Sequence, residues 1–344
     1  MIKSSCLLLI ITIKHKGVIN MNIKKIGLTA LAGSLVATSS AMAGAMSVAG
    51  SASVALEHIN GGAASAGKSF TMGNQLTFSG SGEMDNGLNV SLSFVLDQND
   101  DSSLANGNTK SANTGSPFDS HSVTISSDSL GTLNFAGEGG SSATTAVDAT
   151  AAGDIWDQFD DESDSLAPNG VGSGDNMFMY TLPSLMDDLT LKASYIPSRA
   201  LADTAIGYSA TYAGVEGLSV TYATGEDSSV GNVNDATMLK GSYAYGPVTV
   251  AYSDYEYDAQ TDTADDEMTS YKVSYTVSDE LSVSYGQEEI TTNSTSAEYE
   301  MISASYTAGG MTITASMSDA TDIDGTTTAT EDRERWALGA SFAF

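Results

Sequence analysis

The sequence predicts an all-β protein, a transmembrane antiparallel up-and-down β-barrel of 16 strands. Three observations carry that expectation. Apolar and polar residues alternate with a period of two along most of the chain after residue 46, connectors alternate between short and long, and aromatic residues recur near one end of successive strands.

The N-terminal segment is of another kind. Met21, Lys24 and Lys25 form a basic start, an apolar run follows from Ile26 to Val36, and Ala41-Met42-Ala43 supplies a small-x-small cleavage site. The run is too short to span a bilayer, so residues 21–43 read as a removable secretory signal and 44–344 as one barrel domain. Residues 1–20, with a second apolar run from Leu7 to Ile13, read as an upstream extension ahead of the true start at Met21; an unusually long signal is the competing reading. Cys6 lacks the context of a lipoprotein acceptor.

Removing 43 residues takes away five basic residues, no acids and the sole cysteine, leaving 8 basic and 43 acidic residues and a formal charge of −35. Nucleic acid is excluded as a partner, because phosphate neutralisation needs the opposite sign. Stability must come from backbone pairing and burial rather than disulfides. No apolar run after Ala43 is long enough for a transmembrane helix, but barrel strands need only one apolar face.

The alternation begins at once. Val48, Gly50, Ala52, Val54 and Leu56 stand against Ser47, Ser51, Ser53 and Glu57. Leu76, Phe78, Gly80 and Met84 form a second strand, and Asp85-Asn86-Gly87 turns the chain into Leu88, Val90, Leu92, Phe94 and Leu96. An Asn-Gly between two alternating runs is the strongest short-range hairpin signal. Further strands are expected at about 121–127, 132–137, 176–182, 189–195, 204–212, 218–225, 237–245, 248–255, 268–276, 281–287, 298–306, 311–318 and 334–344.

Connectors at 85–87, 128–131, 183–188, 213–217, 246–247, 277–280 and 307–310 are short. Those at 98–120, 138–175, 226–236, 256–267, 288–297 and 319–333 are expected to be longer and mostly acidic. Tight turns on one rim and longer loops on the other describe an outer-membrane barrel with the tight turns periplasmic. Tyr212, Tyr245, Tyr275, Tyr306 and Phe344 end strands running toward the tight rim, on the apolar parity, as an interfacial aromatic girdle requires. β-Propensity alone also enriches strands in tyrosine, but not at their ends.

Ser129-Leu130-Gly131-Thr132-Leu133, Met179-Tyr180-Thr181-Leu182-Pro183 and the stretch from Trp336 to Phe344 are similar to segments of Gram-negative general porins, the trimeric sixteen-stranded family. The resemblance covers the chain after the signal, and each motif is short. It implies a homotrimer in outer-membrane lipid and lipopolysaccharide, and a terminal Phe344 read by the barrel-assembly machinery. It also implies that the third long loop, 138–175, folds inward and narrows the pore with Asp148, Asp154, Asp157, Asp160, Asp161, Glu162 and Asp164.

Lys192, Lys240 and Lys272 lie on the polar parity of their strands and should face the lumen, where carboxylates opposite them would set a transverse field. Solvated wall residues are the plainer alternative. Carboxylate rings concentrate cations and repel anions, so the expected function is a water-filled, cation-preferring channel for passive diffusion of small hydrophilic solutes. A substrate-specific channel and a secreted, poreless surface or adhesion protein are the two competing classes.

Other motifs fare less well. Gly62-Ala63-Ala64-Ser65-Ala66-Gly67-Lys68-Ser69 fits a phosphate-binding loop, but an alternating strand follows where a helix is needed, and the match reads as chance. Asp322, Asp324, Gly325 and Glu331 fit part of a calcium loop, with Ala320 at its first position and strands around it. Loop-bound Ca2+ is therefore a possibility beside a solvated acidic face; otherwise no cofactor is expected. After the signal only His58 and His121 remain, and His121 and Ser122 point to opposite faces of a strand, so no catalytic triad is expected and the chain is not read as an enzyme.

Overall fold

The computed structural model describes residues 46–61, 67–98, 118–144, 150–159, 172, 174–197, 204–229, 232–260, 265–293, 295–323 and 332–344. Among them are 16 strands: β1 (Met46–Asn60), β2 (Gly67–Glu83), β3 (Asn89–Gln98), β4 (Phe118–Ser127), β5 (Gly131–Glu138), β6 (Met177–Thr181), β7 (Leu189–Ile196), β8 (Thr204–Val215), β9 (Leu218–Ser229), β10 (Asn232–Tyr245), β11 (Val248–Asp258), β12 (Asp266–Thr276), β13 (Leu281–Thr292), β14 (Thr295–Ala308), β15 (Met311–Thr321) and β16 (Arg333–Ala343). Each pairs antiparallel with its sequence neighbour, and β16 returns to pair with β1, closing the barrel.

Closure is carried by an unbroken register from Ser51↔Ala343 to Asn60↔Glu334. It continues past the last strand, where Gly50 and Phe344 exchange two backbone hydrogen bonds of 2.8 and 2.9 Å. The Phe344 ring lies over Gly50, and a Cβ there would sit 2.3 Å from it. A larger residue at position 50 would push the terminal ring aside.

The alternation sorts side chains as expected. Val48, Leu56, Met72, Leu92, Val250, Val273, Ile302 and Leu338 point outward and remain exposed, because nothing among the described residues covers that face. Serines and threonines of the opposite parity point inward. Tyr212, Tyr245, Tyr275, Tyr306 and Phe344 all face outward near the tight-turn rim. At the other rim the outward face turns acidic, with Asp254, Glu256, Glu267, Glu289, Glu298, Glu300, Asp319 and Glu334 exposed on β11 to β16. That change marks where the wall leaves hydrocarbon.

The Asp85–Gly87 hairpin forms through Gly87 N–H donating to Met84 O and Met84 N–H to Leu88 O, each 2.8 Å. Gly87 carries the positive φ, 80°, that a three-residue loop demands. Gly67, Lys68 and Ser69 pair with Ile59, His58 and Glu57 as part of β2, so that half of the phosphate-loop match is strand.

Two expected loops are not loops. β9 and β10 are separated only by residues 230–231, and β13 and β14 only by 293–294, where long connectors at 226–236 and 288–297 were expected. Glu226 pairs with Asp235, and Thr292 with Thr295. Apolar alternation stops where a strand leaves hydrocarbon, but the hydrogen-bond ladder does not. Polar residues on both faces continue β9 and β10, and in β13 and β14 the apolar parity passes to the inward Ile290 and Ala297, so both extensions go unnoticed.

β6 is the shortest strand, with five pairs to β5 and four to β7. It follows the 139–176 connector, so the wall is lowest where that connector departs and returns.

Leu338→Arg, on the outward face of mid-β16, is expected to destabilise the barrel by about 2–4 kcal/mol, as a cation at the hydrocarbon midplane does. Thr314→Lys, on the inward face of β15, should be near neutral. Urea titration of protein refolded into lipid vesicles checks both.

Candidate functional site

A barrel wall is one layer thick, so an inward side chain is buried only where something covers it. Ser194, Ser253, Ser270, Glu288 and Ser318 face inward and are each under 5% exposed. The described part of the 139–176 connector covers them. Ala143 N–H donates to Ser194 Oγ at 2.8 Å, Ala151 N–H to Ser253 Oγ at 2.9 Å and Ala152 N–H to Ser270 Oγ at 2.8 Å. Glu288 accepts from Thr150 Oγ1 and, at 3.0 Å, from Trp156 N–H. Inward serines and a glutamate thus satisfy backbone donors that could not be left unpaired against the wall.

Two inward positions are glycines for the same reason. A Cβ on Gly207 would lie 2.7 Å from Ser194 Oγ and 3.4 Å from Thr144 N, and a Cβ on Gly286 would lie 2.8 Å from Ala152 Cβ. The connector then buries Ile155 and Phe159 among Met238, Tyr255, Met268, Ile290 and Tyr299, all inward-facing. Residues Trp156–Phe159 form a short 3-10 turn, and the Phe159 ring packs 6.0 Å from that of Tyr299.

The charged groups expected at a constriction divide. Asp154, at φ 53°, turns its carboxylate back on the connector and accepts from Thr150 N–H at 2.8 Å. The side chain of Asp157 is exposed in the lumen. Asp160, Asp161, Glu162 and Asp164 lie outside the described residues, as does Asp148. Lys192, Lys240 and Lys272 are on the inward parity of β7, β10 and β12. Lys272 donates to Ala152 O at 3.3 Å, so it sits beneath the connector rather than across the lumen from it. The expected opposition of carboxylates and lysines is corrected for this residue: the connector lies on the same wall as β12.

Sequence reasoning missed an inward charge pair. Arg335 on β16 and Glu57 on β1 meet at 2.6 Å across the closing seam, and Arg335 also reaches Gln158 of the connector at 2.7 Å. Glu288 was missed as well, since alternation gives an inward acid no mark of what will cover it. Gly286 did carry a signal, because an isolated glycine inside a strand marks close backbone approach.

Of the calcium-loop residues, Asp322 is described, and its N–H is held by Asp332 Oδ1 at 3.3 Å; Asp324 and Glu331 lie outside the described residues. Among the described residues, no three metal-ligating side chains converge.

A family model described as Gram-negative porin matches residues 27–298. The chain belongs to that family. An engineered variant of Rhodopseudomonas blastica porin superposes with a TM-score of 0.65 at 14% identity, covering 87% of this chain and 100% of its own. An anion-selective porin from Comamonas acidovorans superposes with a TM-score of 0.65 at 13% identity, covering 87% of this chain and 99% of its own. No curated relative matches the sequence. The porin is therefore an outer-membrane channel protein and not an enzyme, with the 16-stranded barrel its neighbours share.

Gly286→Val should raise β-propensity at a strand position yet weaken the porin by about 1–3 kcal/mol, because the side chain overpacks against Ala152 and Ile155. Faster hydrogen exchange in residues 150–159, with the strands unchanged, would locate the damage at the connector. Gly241→Val, facing outward where a Cβ would make only an ordinary contact of 3.9 Å with Ser219 O, serves as the control.

Proposed function

We propose that this porin forms a water-filled channel for passive diffusion of small hydrophilic solutes, prefers cations, and is narrowed by the connector that carries residues 150–159. The observation that carries the cation preference is that two inward cations are already engaged, while the connector exposes the Asp157 side chain. Lys272 is bonded to the connector backbone, and Arg335 is neutralised by Glu57. The surplus of 43 acidic over 8 basic residues after the signal acts in the same direction. The Comamonas acidovorans porin is anion-selective, so a shared fold leaves the sign of selectivity to side chains.

The chain is exported by residues 21–43 and works as a homotrimer in lipid and lipopolysaccharide, with Phe344 presented to the barrel-assembly machinery. The uneven distribution of tyrosine supports a subunit contact on one wall. All 15 tyrosines fall between Tyr180 and Tyr306, and those that face outward, such as Tyr208, Tyr222 and Tyr252, lie on the wall that this span forms. The outward face of β15, β16 and β1 to β5 instead carries Ile313, Met317, Leu338, Phe342, Val48, Leu56, Phe70, Met72 and Leu92. Tyrosine suits a lipid interface, where its hydroxyl reaches water; a wall with fewer hydroxyls suits a dry contact with another copy.

Reversal potentials of the refolded porin in a KCl gradient should favour potassium, and Asp157→Asn should move them toward chloride. The shift should grow at low salt, since fixed charges are screened within about 8 Å at about 0.15 M. A wild-type channel that favours chloride would overturn the cation preference.

A further inference from the structure

The Glu57–Arg335 pair has no part in the reading above beyond silencing two charges, and stability alone gives little reason for it. Both side chains are largely buried, at 9 and 14% exposure, and desolvation offsets most of the attraction in such pairs. The seam is already held by the ten-residue register of β1 with β16. What distinguishes the site is the use of the guanidinium's separate faces. Nε and Nη2 donate to Glu57 Oε2 at 3.0 and 2.6 Å, while Nη1 turns away and donates to Gln158 Oε1 at 2.7 Å.

The surrounding groups complete the arrangement. Ser69 of β2 donates to the other oxygen of Glu57 at 2.6 Å, fixing that carboxylate. Ser318 of β15 donates to Gln158 Oε1 at 2.9 Å, and the Gln158 amide contacts Met301 Sδ of β14 at 3.3 Å. One planar fork thus joins the first strand, the last strand and the connector in the lumen. Lysine, with a single compact charge, cannot serve two acceptors in fixed directions in this way.

We propose that Arg335 is the positioning residue for the connector: aligned by Glu57 across the closing seam, it holds Gln158 and so fixes residues 150–159 against the wall. The Arg335 seat is aligned only once β1 has met β16, so barrel closure adds the last hold on a connector that β7 and β11 to β14 already contact. An open or wrongly closed sheet would leave the Gln158 end of the connector unfixed. The proposal rests on the reading of these residues as the narrowing element.

Hydrogen exchange and single-channel recording on the same refolded full-length variants separate the two. Gln158→Leu removes the acceptor and leaves the Glu57–Arg335 pair intact. It should speed exchange in residues 150–159 without touching the strands, and make the open channel larger and noisier. Arg335→Lys should do the same. Gln158→Glu keeps an oxygen for Arg335 and Ser318, and should keep exchange slow. Unchanged exchange in both Gln158→Leu and Arg335→Lys overturns the proposal. Faster exchange with conductance unaltered supports the latch and overturns the connector as the narrowing element.

Discussion

Hydrocarbon offers no water to an amide group, so every backbone N–H and C=O that crosses a membrane must be satisfied by the chain itself. For strands that condition is met only by closing the sheet, and the rest of this porin follows from the closure. The pairing of β1 with β16 runs through to the last residue, where Phe344 and Gly50 bond to each other and the ring occupies the space a side chain would need. Closure also separates inside from outside, which gives the alternation its meaning. Outward Val, Leu, Phe and Tyr meet lipid, and inward Ser, Thr and Asn meet water or the connector.

The lumen poses the opposite problem. A single layer of wall buries nothing, and a connector brought inside carries donors that must find partners. Here they find inward hydroxyls on β7, β11 and β12 and the carboxylate of Glu288 on β13. Glycines at 207 and 286 let backbone approach backbone, and Ile155 and Phe159 supply apolar burial that makes the docking more than a set of polar contacts. The result is a second layer against part of the wall, with polar groups spent on position.

The charge pattern follows from that packing. Lysine and arginine on the connector's own wall are drawn into holding it, as Lys272 does through Ala152 O and Arg335 through Gln158. A basic side chain engaged in this way contributes less to the field along the pore than its formal charge indicates. Net charge and the local field of the channel are therefore different quantities.

Much of the fold was legible in the residues. Period-two alternation located the strands, Asn86-Gly87 located a hairpin, and the aromatic ends marked the tight-turn rim, because each depends on local geometry and the solvent on either face. The strand extensions around 230 and 293 were not legible, since the first is polar on both faces and in the second the apolar residues, Ile290 and Ala297, switch to the inward face. By itself the sequence determined which face of each strand is apolar, and with it the membrane-spanning barrel. Only the tertiary structure decided which inward residues are covered. Glu57, Gln158 and Arg335 are far apart in the chain and unremarkable in their local patterns, and they meet only because the closed sheet brings its first and last strands together beneath a connector folded between them.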